Sequence, residues 1–175
     1  MPRCELLINF LENNGKNLKE FYVSVNHAYC YNSLNLAIAN FCPNLRKLST
    51  GFRNNELETL KIVFTGCEYL ERFYIWCGGS EYLSENEALE MFVKYSPKDI
   101  HELILVYQYV VQSELLPDEL ESFFLSWMNR ILKKSLSLVI VKRYLAANGL
   151  DRNDKNMEII KKYFKLGVIK KFIVI

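Results

Sequence analysis

One phrase recurs along this chain and restricts what it can fold into. At Cys67-Glu68-Tyr69-Leu70-Glu71-Arg72-Phe73-Tyr74-Ile75-Trp76, a turn position is followed three residues later by Leu, then by alternating apolar residues. Period-two alternation places Phe73 and Ile75 on one face of a strand and Arg72, Tyr74 and Trp76 on the other. The phrase returns in Asn17-Leu18-Lys19-Glu20-Phe21-Tyr22-Val23 and in Asn44-Leu45-Arg46-Lys47-Leu48-Ser49-Thr50. Ile100, Leu136 and Ile169 take the place of the Leu further on. Successive anchors lie 27, 25, 30, 36 and 33 residues apart. A chain with this recurrence is an array of like units.

Between the strands the apolar period changes from two to that of a helix. Leu7, Phe10 and Leu11 mark the first helix, which Asn13-Asn14-Gly15 ends because Gly accepts a left-handed C-terminal residue. Leu34, Ile38 and Phe41 mark the second, closed by Cys42-Pro43. Leu57, Leu60 and Phe64 mark the third, from about Asn55 to Thr65. Ser84-Glu85-Asn86-Glu87 opens the fourth as a capping box, with Leu89, Phe92 and Val93 on its apolar stripe and Ser96-Pro97 after it. Pro117-Asp118-Glu119 opens the fifth with acidic residues suited to the helix dipole. Leu120, Phe123, Phe124, Trp127 and Ile131 run down its face. Its strand, Ser135 to Val141, is ambiguous in register by one residue. Met157, Ile160 and Phe164 mark the sixth, and Ile169 to Ile175 forms a last strand.

With 50% apolar and 24% charged residues the chain has globular composition. Charge is uneven: residues 117–175 hold twelve Lys and Arg against six Asp and Glu, while residues 1–116 hold ten against fourteen. Such asymmetry can mark a nucleic-acid or membrane surface, although solvated helix faces account for it more simply. No run of eighteen apolar residues is present, so no membrane span is expected. The five cysteines, Cys4, Cys30, Cys42, Cys67 and Cys77, are odd in number, lack CxxC spacing and follow no secretory signal. They read as reduced thiols of an intracellular protein, cytoplasmic or nuclear.

The Cys42-Pro43-Asn44-Leu45 and Cys67-Glu68-Tyr69-Leu70 phrases resemble the cysteine-containing leucine-rich repeats of F-box/LRR proteins, and the Asn17-Leu18-Lys19-Glu20 and Asn44-Leu45-Arg46-Lys47 units are similar in style to the large fungal F-box families. The Cys is intact in only two of six units, with Gly15, Pro97 and Leu166 at the matching position elsewhere. The resemblance implies an α/β leucine-rich repeat solenoid, or horseshoe, of about six repeats. Parallel strands would line the concave side and helices the convex side. Residues 1–175 would form a single domain, a fragment of a longer protein. In that family an F-box binds a Skp1-type adaptor and the repeats hold the substrate of a cullin-RING (SCF-type) ubiquitin ligase. This chain contains no F-box, because its first repeat helix begins at about Glu5. A Skp1-type adaptor is therefore expected only if an F-box lies upstream.

On this reading the function is protein–protein recognition, as the substrate-binding part of such a receptor. The alternatives are a free-standing scaffold or a nucleic-acid-associated protein using the basic C-terminal third. The expected partner is a protein substrate in the concave face, with no membrane and with nucleic acid disfavoured. Strand parity nominates Glu20, Tyr22, Lys47, Ser49, Arg72, Tyr74, Trp76, Glu102 and Ile104 as partner-binding residues. Ser24, Val139, Lys171 and Ile173 share that face. Tyr74 and Trp76 are the candidate anchors, since binding hot spots are enriched in Tyr and Trp; the alternative is packing beneath the Gly78–Leu83 loop.

Catalytic chemistry finds little purchase. The two histidines, His27 and His101, are far apart, and His101 follows an inward Ile100. No short-spaced thiolate and imidazole cluster suggests zinc. Cys77-Gly78-Gly79-Ser80 lacks the Gly-Lys-Ser/Thr of a phosphate loop. Lys133-Lys134, Lys161-Lys162 and Lys170-Lys171 are basic pairs on or near helices and the last strand. No acid, base and nucleophile set converges, so neither an enzyme nor a cofactor is expected.

Overall fold

In the first four units the recurring phrase folds the same way. Its turn is an i to i+3 bond from the anchor N–H back to the breaker carbonyl: Leu18 to Gly15, Leu45 to Cys42, Leu70 to Cys67 and Ile100 to Pro97, at 3.1–3.3 Å. Two Leu anchors sit three residues past a Cys because that thiol is small enough to be engulfed. Cys67 Sγ lies 3.6 Å from the Cys42 carbonyl oxygen and 3.9 Å from that of Ile38, tying one unit to the one before it. This computed structural model describes residues 2–23, 30–79, 81–107, 112–130, 134–143 and 148–175. Ser24, His27, Ser80, Ile131 and Lys133 lie outside the described residues.

Among the described residues six α-helices alternate with six strands. They are α1 (Pro2–Asn14), β1 (Glu20–Tyr22), α2 (Tyr31–Phe41), β2 (Lys47–Gly51), α3 (Leu57–Gly66) and β3 (Arg72–Trp76), then α4 (Glu85–Tyr95), β4 (Glu102–Tyr107), α5 (Pro117–Met128), β5 (Leu136–Lys142), α6 (Asp154–Lys165) and β6 (Ile169–Val174). The strands form one parallel sheet in sequence order, β1-β2-β3-β4-β5-β6. Each connection therefore steps to the next strand, unlike a doubly wound sheet, whose order reverses.

Register is carried across the sheet without change until β6. Phe21, Leu48, Phe73, Leu103, Leu138 and Phe172 stand in one row facing the helices. Thr50, Ile75, Leu105 and Ile140 stand in the next such row. A shift between Leu136 and Ser137 lets Lys170 out of the ladder, so that Leu136 meets Ile169 but Ser137 meets Lys171. The ambiguity of the fifth strand resolves with Leu136, Leu138 and Ile140 inward.

The helices lay a continuous apolar layer over these rows. Phe64 meets Phe73 at 4.9 Å, Phe92 stacks on Trp127 at 5.4 Å, and Phe124 stacks on Tyr163 at 4.9 Å. Leu34, Ile38, Leu60, Phe64, Leu89, Phe92, Leu120 and Phe124 are all buried, each contributing about 1.5–3 kcal/mol relative to exposure. The α4 capping box is present, with Ser84 accepting from the Glu87 N–H and Glu87 accepting from the Ser84 N–H. Two buried amides of the helix layer are held by the backbone. Asn35 donates to the Gly51 carbonyl at 2.9 Å and accepts from the Thr50 hydroxyl at 2.7 Å. Asn156 donates to the Leu115 carbonyl at 3.2 Å.

Three expectations are corrected. Cys4 and Cys30 are not free thiols: they form a disulfide that ties the first turn of α1 to the residue before α2, leaving Cys42, Cys67 and Cys77 as buried thiols. Phe10 and Phe164 are not core residues. Each is about half exposed, and Tyr163 takes the buried place expected of Phe164. Both lie on the outermost described helices, and among the described residues no further unit covers their outer flank. Trp76 is fully buried, for a reason given below.

Candidate functional site

The face of the sheet turned away from the helices carries three rows, set by the same register. The first, at the N-terminal ends of the strands, runs Glu20, Lys47, Arg72, Glu102, Ser137, Lys171. Four of its five charges are paired laterally: Lys47 Nζ to Glu20 Oε1 at 2.5 Å and Arg72 Nε to Glu102 Oε2 at 2.9 Å. The Lys47 hydrogen bond lowers the Glu20 carboxyl below its usual range. Beside this row Arg46 pairs with Glu71 at 2.5 Å and Lys134 with Asp99 at 2.8 Å.

The second row runs Tyr22, Ser49, Tyr74, Ile104, Val139, Ile173. Tyr22 and Tyr74 belong to strands two apart, yet their rings meet edge to face with centroids 5.8 Å apart. The short side chain of Ser49 makes this possible, and Ser49 is buried between them. Tyr22 remains 53% exposed and donates to Glu20 Oε2 at 3.2 Å. Partial desolvation, with Tyr74 and Glu20 alongside, raises its phenol above the ordinary value.

The third row runs Gly51, Trp76, Val106, Val141. Trp76 has the outward parity expected of it, but at the strand's C-terminal end it is enclosed rather than displayed. Tyr31 meets it edge to face at 5.3 Å and Tyr82 at 5.8 Å. Gly51 leaves the room for this: a Cβ there would stand 2.6 Å from Trp76 Cε3. Packing beneath the segment that follows β3 therefore describes Trp76, and its anchor role as read from parity alone does not hold.

The nominated residues thus divide. Glu20, Tyr22, Lys47, Arg72, Tyr74 and Glu102 come together as one cluster on β1 to β4, with Glu20 and Tyr22 exposed and the other four half-buried. Ser49, Trp76 and Ile104 are buried. What parity could not reveal is the closure of the third row by Tyr31 and Tyr82, which belong to other segments. The Tyr22–Tyr74 contact did leave a signal, since both occupy the same phrase position with a small residue at that position between them.

A buried polar cluster lies at the other side of the strand ends. The Glu85 carboxylate, in the first turn of α4, accepts from the Tyr107 hydroxyl, the Ser113 hydroxyl at 2.6 Å and the Glu114 N–H at 3.0 Å. Tyr107 in turn accepts from the Leu150 N–H at 3.3 Å. Burial pushes the Tyr107 phenol and the nearby Cys77 thiol well above their ordinary values. Among the described residues no group of three or more His, Cys, Asp and Glu side chains is placed to hold a metal ion. No described helix is long and apolar enough to cross a membrane. His101 is half-buried, its Nδ1 3.0 Å from the Asp99 carbonyl oxygen.

One parallel sheet in strict sequence order, one helix per strand and a repeated turn define a leucine-rich-repeat-like α/β fold. The chain is similar over 93% of its length to the tropomodulin C-terminal domain of Caenorhabditis elegans, of which it covers 94%, with a TM-score of 0.58 and 15% identity. That likeness is one of fold. No protein-family description matches the sequence, and no curated protein matches it.

Proposed function

We propose that this chain is a non-catalytic protein–protein recognition module whose docking surface is the sheet face bearing Tyr22 and Tyr74. The units would wind as a solenoid, with that face concave and the helices convex. The observation that carries the reading is the tyrosine pair, with Tyr22 exposed and Tyr74 half-buried beside it, meeting over Ser49 and flanked by the Glu20–Lys47 and Arg72–Glu102 pairs. Rigid, amphipathic aromatics beside Arg are the side chains on which binding energy concentrates. Because the neighbouring charges are already neutralised, the surface favours a protein segment over a polyanion. Lys134 and Lys162 are likewise paired, with Asp99 and Glu121, whereas Lys161, Lys170 and Lys171 are exposed, so a nucleic-acid partner stays the second reading.

The finer reading is the substrate-binding part of an F-box-type ubiquitin ligase receptor. It rests on the resemblance of the Cys42 and Cys67 phrases and of the Asn17 and Asn44 units, and a free-standing scaffold would use the same surface. Reading the native transcript ahead of Met1 distinguishes them: an F-box in frame supports the receptor, and a stop codon in frame removes it. The docking surface itself is tested with a photo-cross-linking residue at Tyr74 or, as control, at Leu125 on the helix layer. Position 74 should yield a discrete adduct that unlabelled chain competes away and Tyr74→Ala chain does not. Equal adducts at both positions would reject the surface.

A further inference from the structure

The helix layer carries a groove of its own, between α4 and α5, and we infer that it is a second docking site whose occupant is a basic amphipathic helix of a partner protein. The groove holds about 480 Å³, within the size range of binding clefts. It shares no residue with the sheet face bearing Tyr22 and Tyr74, so the two surfaces are tested separately.

The seams on either side of it are bridged by long side chains. Lys61 of α3 reaches over the Tyr95 ring of α4 at 5.2 Å, and Lys162 of α6 pairs with Glu121 of α5 at 2.5 Å. Among the described residues no ion pair or side-chain hydrogen bond joins α4 to α5. The α5 residues that line this seam include Ser122 and Ser126, one turn apart, and neither is large enough to fill it. The helices do not close the gap because their spacing is fixed at both ends and beneath. At one end Glu85 accepts from the Ser113 hydroxyl at 2.6 Å and the Glu114 N–H at 3.0 Å. At the other, Arg130 donates to the Ser96 hydroxyl oxygen at 2.6 Å and the Ser96 carbonyl at 2.7 Å. Beneath, the Phe92 ring lies 5.4 Å from Trp127 and 6.4 Å from Phe123. The groove is therefore preformed.

Its shape fits a helix. Leu89, Val93 and Phe123 form an apolar floor, and Asn86, Glu90 and Lys94 stand along one wall at a spacing of four residues. From Asn86 to Lys94 the wall follows two turns of α4, about 12 Å. An apolar floor between two polar walls is what an amphipathic helix enters through side chains at i, i+4 and i+7. Its charge selects which helix. Glu90, Asp118 and Glu119 line the groove against Lys94 alone. Glu90 and Asp118 are exposed on opposite walls, and among the described residues neither has an ion-pair partner. Glu90 receives only the Asn86 amide at 3.2 Å, and Glu119 receives the Leu116 N–H at 2.8 Å. Lysine or arginine on the margins of the docked helix would meet these carboxylates, whereas acidic residues there would be repelled.

Panning a library of stapled helical peptides, about 14 residues long and so needing the staple to hold their shape, against the 175-residue chain tests this. Enriched peptides should combine apolar residues at i, i+4 and i+7 with lysine or arginine on the flanks. Their binding, read by fluorescence anisotropy, should be saturable. Ser122→Trp, an exposed position whose indole would occupy the groove, should weaken it about tenfold or more, and Tyr74→Ala should leave it unchanged. Glu90→Lys combined with Asp118→Lys should turn the selection toward acidic peptides. Circular dichroism of all these variants should match that of the parent chain. Three results would overturn the inference: no enrichment, enriched peptides without basic flanks, or binding that survives Ser122→Trp. Loss of binding with Tyr74→Ala in place of Ser122→Trp would assign the peptides to the sheet face and likewise reject the groove.

Discussion

Tyr22 and Tyr74 touch across a strand that separates them, their rings meeting above Ser49 with centroids 5.8 Å apart. Adjacent strands lie about 4.8 Å apart, so the side chains of β1 and β3 reach each other only by leaning over β2. A larger residue at position 49 would stand between the rings. Ser49→Leu is therefore expected to leave the fold intact while separating the tyrosines, lowering capture through the sheet face as strongly as Tyr74→Ala does. The cost in stability of Tyr22→Ala should be about 0.5–1.5 kcal/mol, the usual worth of an aromatic pair. Urea unfolding of the three variants, read beside the cross-linking yield, checks both statements. Unchanged capture by Ser49→Leu would show that the pair is not what the partner reads.

The Glu85 cluster makes a different prediction, about stability alone. Its carboxylate is buried and takes donors from Tyr107, Ser113 and Glu114, so it fastens the start of α4 to the end of β4 and to the segment before α5. Glu85→Leu leaves those donors without an acceptor, each costing about 1–3 kcal/mol, and a total loss above about 3 kcal/mol is expected. Tyr107→Phe should cost less, since Ser113 and Glu114 keep their acceptor. Coupling between the two changes, measured by a double-mutant cycle, should be clearly non-additive. Additive effects would show that Glu85 and Tyr107 contribute separately.

Thiol chemistry separates the two kinds of cysteine. Burial raises Cys42 from 9.0 to about 11 and Cys67 from 9.0 to about 12. A thiol whose pKa is higher in the fold than in the unfolded chain stabilises the fold fully below pH 9. That contribution is lost as pH rises from there through about 11 for Cys42 and about 12 for Cys67. Stability to urea should accordingly fall steeply in that alkaline window, and Cys42→Ala with Cys67→Ala should flatten the decline. At neutral pH a thiol reagent should find none of the five cysteines in the native protein and three after unfolding, namely Cys42, Cys67 and Cys77. All five should react only after reduction as well. Five reactive thiols in the unfolded, unreduced chain would remove the Cys4–Cys30 bond.

What the sequence made legible was what repeats. The anchors Leu18, Leu45, Leu70 and Ile100 each close the same turn, and the strand parity that follows from them gives the rows of the sheet. What it hid was set by single encounters between distant segments. Trp76 has the parity of Tyr74, and only the approach of Tyr31 and Tyr82 converts it from surface to core. Phe10 and Phe164 have core periodicity, and only their place on the outermost helices leaves them exposed. Cys4 and Cys30 lie 26 residues apart, and an odd cysteine count pointed away from the bond they form.

The glycines that close the units test the stacking itself. Gly66 ends α3 against the backbone of α2, where a Cβ would stand 2.3 Å from the Ala39 carbonyl oxygen. That contact is with backbone, so relief requires the helices to part. Gly167 follows α6 with φ of 72°, and a Cβ there would meet nothing within 4 Å. Its cost is conformational only, about 1 kcal/mol for a non-glycine residue held in the left-handed region. Gly66→Ala should therefore destabilise by several times as much as Gly167→Ala, and Gly167→Asn should recover part of the smaller loss because Asn tolerates that region. Thermal unfolding of the three variants orders them. Equal losses for Gly66→Ala and Gly167→Ala would mean that α2 and α3 are not packed as closely as the turn phrase demands.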